Sequence, residues 1–84
     1  MSADLDAEHR DTVEQIFSHG ANVEWRRVLS LLEAVGTVEE EHDGRFRITL
    51  GDETETFDRP RDKDVDVQML VDLRRMLTGA GITG

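Results

Sequence analysis

Residues 42–57 read HDGRFRITLGDETETF, two glycine turns separated by a run that alternates apolar and polar side chains. Extending that period of two in both directions covers Thr37 to Asp58 and predicts three strands, 37–41, 45–50 and 53–58. His42-Asp43-Gly44 suits a three-residue hairpin loop with Gly44 in the left-handed conformation. That register sets Val38 opposite Ile48, with Glu39 and Glu41 across from Arg47 and Arg45. A two-residue turn at Asp43-Gly44 would place the acids beside Ile48 and Phe46 instead, so apolar matching and charge both favour the longer loop. Gly51-Asp52 is a glycine-first turn that brings Phe46 opposite Phe57 and Arg45 opposite Asp58. One face of the meander then carries Val38, Phe46, Ile48, Leu50 and Phe57. The other carries Glu39, Glu41, Arg45, Arg47, Thr49, Thr54, Thr56 and Asp58. Parity turns Glu40 and Glu55 toward the apolar face, which is costly unless both reach its rim.

The flanking segments change to helical spacing. Residues 23–35 repeat Trp25, Val28, Leu29, Leu32 and Val35 at the interval of a buried stripe, with Leu31 at its edge. Asn22 is the expected N-cap, and Gly36 the expected left-handed stop. Asp58 to Asp66 is a polar connector, and Asp66 can cap a last helix over 67–77. That helix turns Leu70, Leu73 and Leu77 to the core, flanked by Met69 and Met76, and Gly79 and Gly81 mark its end. Upstream, Leu5, His9, Val13, Ile16 and Phe17 form the narrow apolar stripe of a helix over 5–17, with His19 at its negative end and Gly20 as its stop. The expected fold class is α/β (α+β): a two-layer sandwich of a three-stranded antiparallel sheet with helices on one face, order α-α-β-β-β-α. Residues 1–20 read as a helical extension and 21–84 as the domain.

Composition narrows the function classes. The chain has 84 residues, no cysteine, and 19 acidic against 10 basic residues, for a formal net charge of -9. Without cysteine there is no disulfide scaffold and no thiolate metal site. No apolar run is long enough to span a bilayer and no signal-peptide core opens the chain, so a cytoplasmic setting is expected. Excess negative charge opposes the phosphate neutralisation that drives non-specific nucleic-acid binding.

The polar residues offer few chemical sites. His9, His19 and His42 lack ligand spacing, and RDKDVDV at 61–67 lacks the central glycine and final acid of a calcium loop. No cofactor or metal is expected. His42 beside Asp43 is a weak candidate for a general base, with no nucleophile near it in sequence. Arg45, Arg47, Arg59, Arg61 and Lys63 are the candidates for contacting a nucleic acid or a charged protein partner. Interleaved acids account for most of them as ordinary surface pairs. Arg26-Arg27 and Arg74-Arg75 read as exposed helix surface.

Residues 25–82 resemble the HicA-like family, toxins of a bacterial toxin–antitoxin pair with a double-stranded-RNA-binding-domain-like (dsRBD-like) fold. The resemblance lies in WRRVLSLLEAVG at 25–36, in the spacing from there to Gly44, and in LRRMLTGAGI at 73–82. It implies a catalytic histidine two places after that glycine, which here is Phe46, with Arg45 at the preceding serine position and Asp62 near a second histidine position. A phenyl ring carries no proton, so the resemblance implies a noncatalytic HicA-like binding module, more for a protein than for RNA. It also implies an antitoxin-like partner, with helix 5–17 able to mask the same surface in cis or to mediate self-association. The alternatives are a toxin-type mRNA endoribonuclease using His42, and RNA binding without cleavage.

Overall fold

The structure is a computed structural model and describes residues 6–18 and 22–83; Leu5, His19 and Gly20 of the first expected helix lie outside them. The elements are α1 (Ala7–Phe17), α2 (Trp25–Val35), β1 (Thr37–Glu40), β2 (Phe46–Leu50), β3 (Glu53–Phe57) and α3 (Val67–Gly79). The order α-α-β-β-β-α and the antiparallel sheet β1-β2-β3 match the expected class. Among the described residues no helix is long and apolar enough to cross a membrane.

The sheet takes the register that charge and apolar matching favour. Val38 faces Ile48, Glu39 faces Arg47 and Phe46 faces Phe57. The Glu41 N–H donates to the Arg45 carbonyl at 2.7 Å, which leaves residues 42–44 as the three-residue loop. Gly44 (φ 87°) and Gly51 (φ 59°) take the left-handed conformations that these two turns need.

Helix α2 packs on β1 and β2, and α3 packs on β3, so one face of the sheet is covered. Phe46, Ile48, Leu50 and Phe57 bury there against Val28, Leu31, Leu32, Leu70, Leu73, Met76 and Leu77. Each of these side chains contributes roughly 1.5–3 kcal/mol when withdrawn from water. Glu40 and Glu55 do reach the rim: Glu40 accepts from Arg59 at 2.8 Å, and Glu55 pairs with Arg75 of α3. Arg75 also holds Glu53 at 2.9 Å, so it clamps α3 to β3 and is more than exposed helix surface.

Four local details depart from the expected pattern. Helix α2 begins at Trp25, and Asn22 does not cap it; Glu24 holds the N-cap position without a side-chain bond. The reason is a backbone partner from far along the chain. Trp25 N–H donates to the Lys63 carbonyl at 2.8 Å and Val65 N–H to the Val23 carbonyl at 2.9 Å. The polar connector is therefore tied down at Val65, which is buried. Gly36 is extended (φ -158°) rather than left-handed; its small size is required by the strand that passes over it. Helix α3 runs on through Gly79, and Gly81 (φ 84°) makes the turn. The Ile82 N–H then bonds the Leu77 carbonyl at 2.8 Å and the Gly81 N–H the Thr78 carbonyl at 3.0 Å, a Schellman closure. Lastly, Leu31 is fully buried while Trp25 and Leu29 are only half-buried, and α1 packs against α2.

Helix α1 docks on α2 and α3 and buries Thr12, Val13 and Ile16 in the same core. Its last turn is held by Arg74, whose Nε donates to the Ile16 carbonyl at 2.6 Å. A charged donor on a helix-end carbonyl is stabilising. Arg74→Ala should cost about 1–2 kcal/mol, with the loss of amide protection in hydrogen exchange concentrated in α1. Uniform loss across all elements would show that the contact does not hold α1 specifically.

Candidate interaction face

The uncovered face of the sheet is a checkerboard of opposite charges bordered by threonines. Side chains point there because β2 alternates strictly: Phe46, Ile48 and Leu50 turn inward, so Arg47 and Thr49 turn outward. Arg47 donates to Glu39 across the β1–β2 pair and lies 4.0 Å from Glu41. The hydrogen bond to Glu39, with the charges of Glu41 and Glu39 behind it, holds the Arg47 guanidinium above its ordinary range. Arg45 is 3.1 Å from Asp58 and 3.7 Å from Asp43. Thr37, Thr49 and Thr54 form a row across the three strands, and the Thr49 and Thr54 hydroxyls are 3.0 Å apart.

The five candidate cations are not brought into one patch. Arg45 and Arg47 share the open face. Arg59 folds over the edge of the core, its guanidinium 5.4 Å from the centre of the Phe46 ring and its Nη2 on Glu40. Lys63 lies 3.7 Å from Glu24, near the start of α2. Arg61 is exposed, with no carboxylate partner among the described residues. It borders an open groove of about 610 Å³ between the end of β3 and α3, whose polar walls include Asp58, Asp62, Asp66 and Asp72. Surface pairs of this kind contribute roughly 0–1 kcal/mol each and exchange partners easily.

Phe46 is buried, at 6% exposure, with the Trp25 ring edge-on at 5.2 Å and Arg59 above it. His42 is exposed on the hairpin loop, on the other side of Gly44. Among the described residues no three His, Asp or Glu side chains converge as metal ligands. Sequence reasoning missed two arrangements. One is the Arg59–Phe46 stack, thirteen positions apart and joined only through the return of the connector. The other joins Asp6, His9 and Ser30 across α1 and α2. No spacing rule signals the Arg59–Phe46 or the His9–Ser30 contact, since both arise from tertiary packing; Asp6 and His9 are local i,i+3 neighbours.

No family model matches the chain, and no curated protein or solved structure is detectably similar to it.

Proposed function

We propose that the chain is a cytoplasmic, HicA-like binding module whose RNA-cleaving position has been given over to core packing, and that the open sheet face meets a protein partner. One observation carries the reading: Arg45, Arg47 and Arg59 are each already neutralised by carboxylates of the same fold. A phosphate backbone would have to displace those acids and approach a chain of net charge -9. A protein carrying both signs can exchange pair for pair across the same face at little cost. The order of α2, the three strands and α3 and the place of Gly44 support the HicA-like resemblance, and the buried ring of Phe46 supports the noncatalytic form of it. The antitoxin-like partner belongs to that resemblance. Helix α1 spends its apolar residues within its own chain, which favours the sheet face over helix 5–17 as the surface that a partner meets.

The test compares the wild-type chain with an Arg45→Glu, Arg47→Glu double variant. Reversal sets like charges opposite Glu39, Glu41 and Asp58, so the double variant should melt several degrees lower while keeping its folded circular-dichroism spectrum. Neither should bind or cut a mixed-sequence RNA duplex at about 0.15 M salt, as read by anisotropy and gel. A protein captured by the wild type from native lysate should be lost with the double variant. RNA affinity that survives at that salt and falls on reversal would instead establish RNA binding. Fragments lost in His42→Ala would establish the endoribonuclease.

A further inference from the structure

On the helical side of the molecule, away from the sheet face, three side chains stand in a defined order. Asp6, the N-cap of α1, accepts from the His9 backbone N–H at 3.0 Å, and the same Oδ1 is 3.1 Å from His9 Nδ1. Across the imidazole, Nε2 is 2.8 Å from the Oγ of Ser30 in the middle of α2. The His9 side chain is 16% exposed, whereas Asp6 and Ser30 are open to solvent. The approach of Nδ1 to Asp6 is an ion-pair distance; in the tautomer with the proton on Nδ1, which the carboxylate favours, Nε2 accepts from the Ser30 hydroxyl. Carboxylate, imidazole and hydroxyl in this sequence are the arrangement that makes a serine nucleophilic. The packing of α1 on α2 creates it and holds the ring in place.

The surroundings limit what such a serine can do. Ser30 lies within a continuous helix, so the backbone N–H groups around it are engaged in helical hydrogen bonds and offer no oxyanion site. A donor with a good leaving group can still react, because its carbonyl is already activated. The resulting alkyl ester is not activated, so its hydrolysis at the same site is slow. Arg27 stands one turn earlier on the same side of α2 and offers a cation to an anionic donor, whereas Arg26 beside it lies 3.6 Å from Glu24.

We propose that Ser30 is an acyl-acceptor site: His9 activates it, Asp6 orients His9, and small activated acyl donors such as acyl phosphates or aryl esters modify it stoichiometrically. In the step, His9 Nε2 takes the hydroxyl proton as Oγ forms its bond to the acyl carbon. The tetrahedral adduct collapses with cleavage of the bond to the leaving oxygen, which departs as phosphate or phenolate. The proton on His9 passes to the leaving group or to water. No oxidant or metal is consumed. This inference is independent of the sheet-face reading, and either can fail alone.

The full chain is incubated separately with acetyl phosphate and with p-nitrophenyl acetate, and the products are read by intact mass and peptide mapping. One acetyl group on Ser30 is expected, absent in Ser30→Ala. His9→Ala should slow labelling of Ser30 by about 100-fold. Asp6→Asn keeps an equally good N-cap, and so should preserve the melting curve while slowing labelling by about tenfold or more. That variant guards against a loss in His9→Ala that comes only from undocking α1. Labelling confined to Lys63, the N-terminus or His9 itself would overturn the proposal. So would labelling of Ser30 at a rate that neither variant changes, since the contact would then be only a clamp between helices. Modification by the ester alone would overturn the assignment of acyl phosphates as donors.

Discussion

Gly36→Ala is expected to destabilise the protein by about 3 kcal/mol or more, at the top of the range for inserting atoms into a packed interior. A Cβ at this position would overlap the carbonyl oxygen of Thr49 and come within 2.5 Å of Leu50 Cδ2. The first of these is backbone of the central strand and cannot rotate away. Relief would require α2 to separate from β2, which uncovers Leu31, Leu32, Ile48 and Leu50 together. A domain of this size holds a total of about 4–13 kcal/mol, so much of its stability is at stake. Urea unfolding followed by the fluorescence of Trp25, the chain's one tryptophan, measures the effect directly. A loss below about 1 kcal/mol would mean that β2 shifts freely over the end of α2, contrary to the close approach described here.

Phe46→Ala should cost about 3–5 kcal/mol, the second large effect. It deletes the ring that joins β2 to Phe57, to the edge of Trp25 and to the Arg59 guanidinium. Phe46→His is the more informative change. It restores the residue type that the HicA-like resemblance expects two places after Gly44, but places it in a buried site. An imidazole there should cost about 1–3 kcal/mol for lack of hydrogen-bond partners, and the variant should still leave RNA intact. If it instead cut RNA with little loss of stability, then this position would open to solvent. The packing argument for a binding module would fail with it. Both variants are compared by urea denaturation and by incubation with a structured RNA.

The meander was the most legible part of the chain. Alternation along 37–58, two glycines and the pairing of Glu39 with Arg47 are enough to select the register and to place each strand end within one residue. Those preferences are local or act between adjacent strands, so sequence separation is short and few alternatives compete. The cap of α3 was equally legible: Asp66 accepts from the Met69 N–H at 2.8 Å, within a single turn. Parity alone leaves Glu40 and Glu55 on the apolar side, and their partners Arg59 and Arg75 lie nineteen and twenty positions away.

The candidate sites were less legible, for the same reason in reverse. Arg45 and Arg47 were placed on the open face because strand parity dictates it. Nothing local indicates that Arg59, in the connector, stacks on Phe46, or that Arg61 borders a groove against α3. Arg74 and Arg75 look alike as neighbours on a helix. One closes the end of α1 and the other clamps β3, because a rotation of 100° per residue points them at different elements.

By itself, then, the sequence determined the element types, the sheet register and which sheet face is apolar, since each follows from side-chain period and turn chemistry over a few residues. Only the tertiary structure decided where α2 begins, why Gly36 must be glycine and which carboxylates hold Arg59 and Arg75. It alone also brought Ser30 against the imidazole of His9. These depend on close approach between segments distant in the chain, and that proximity is created by burying a shared core.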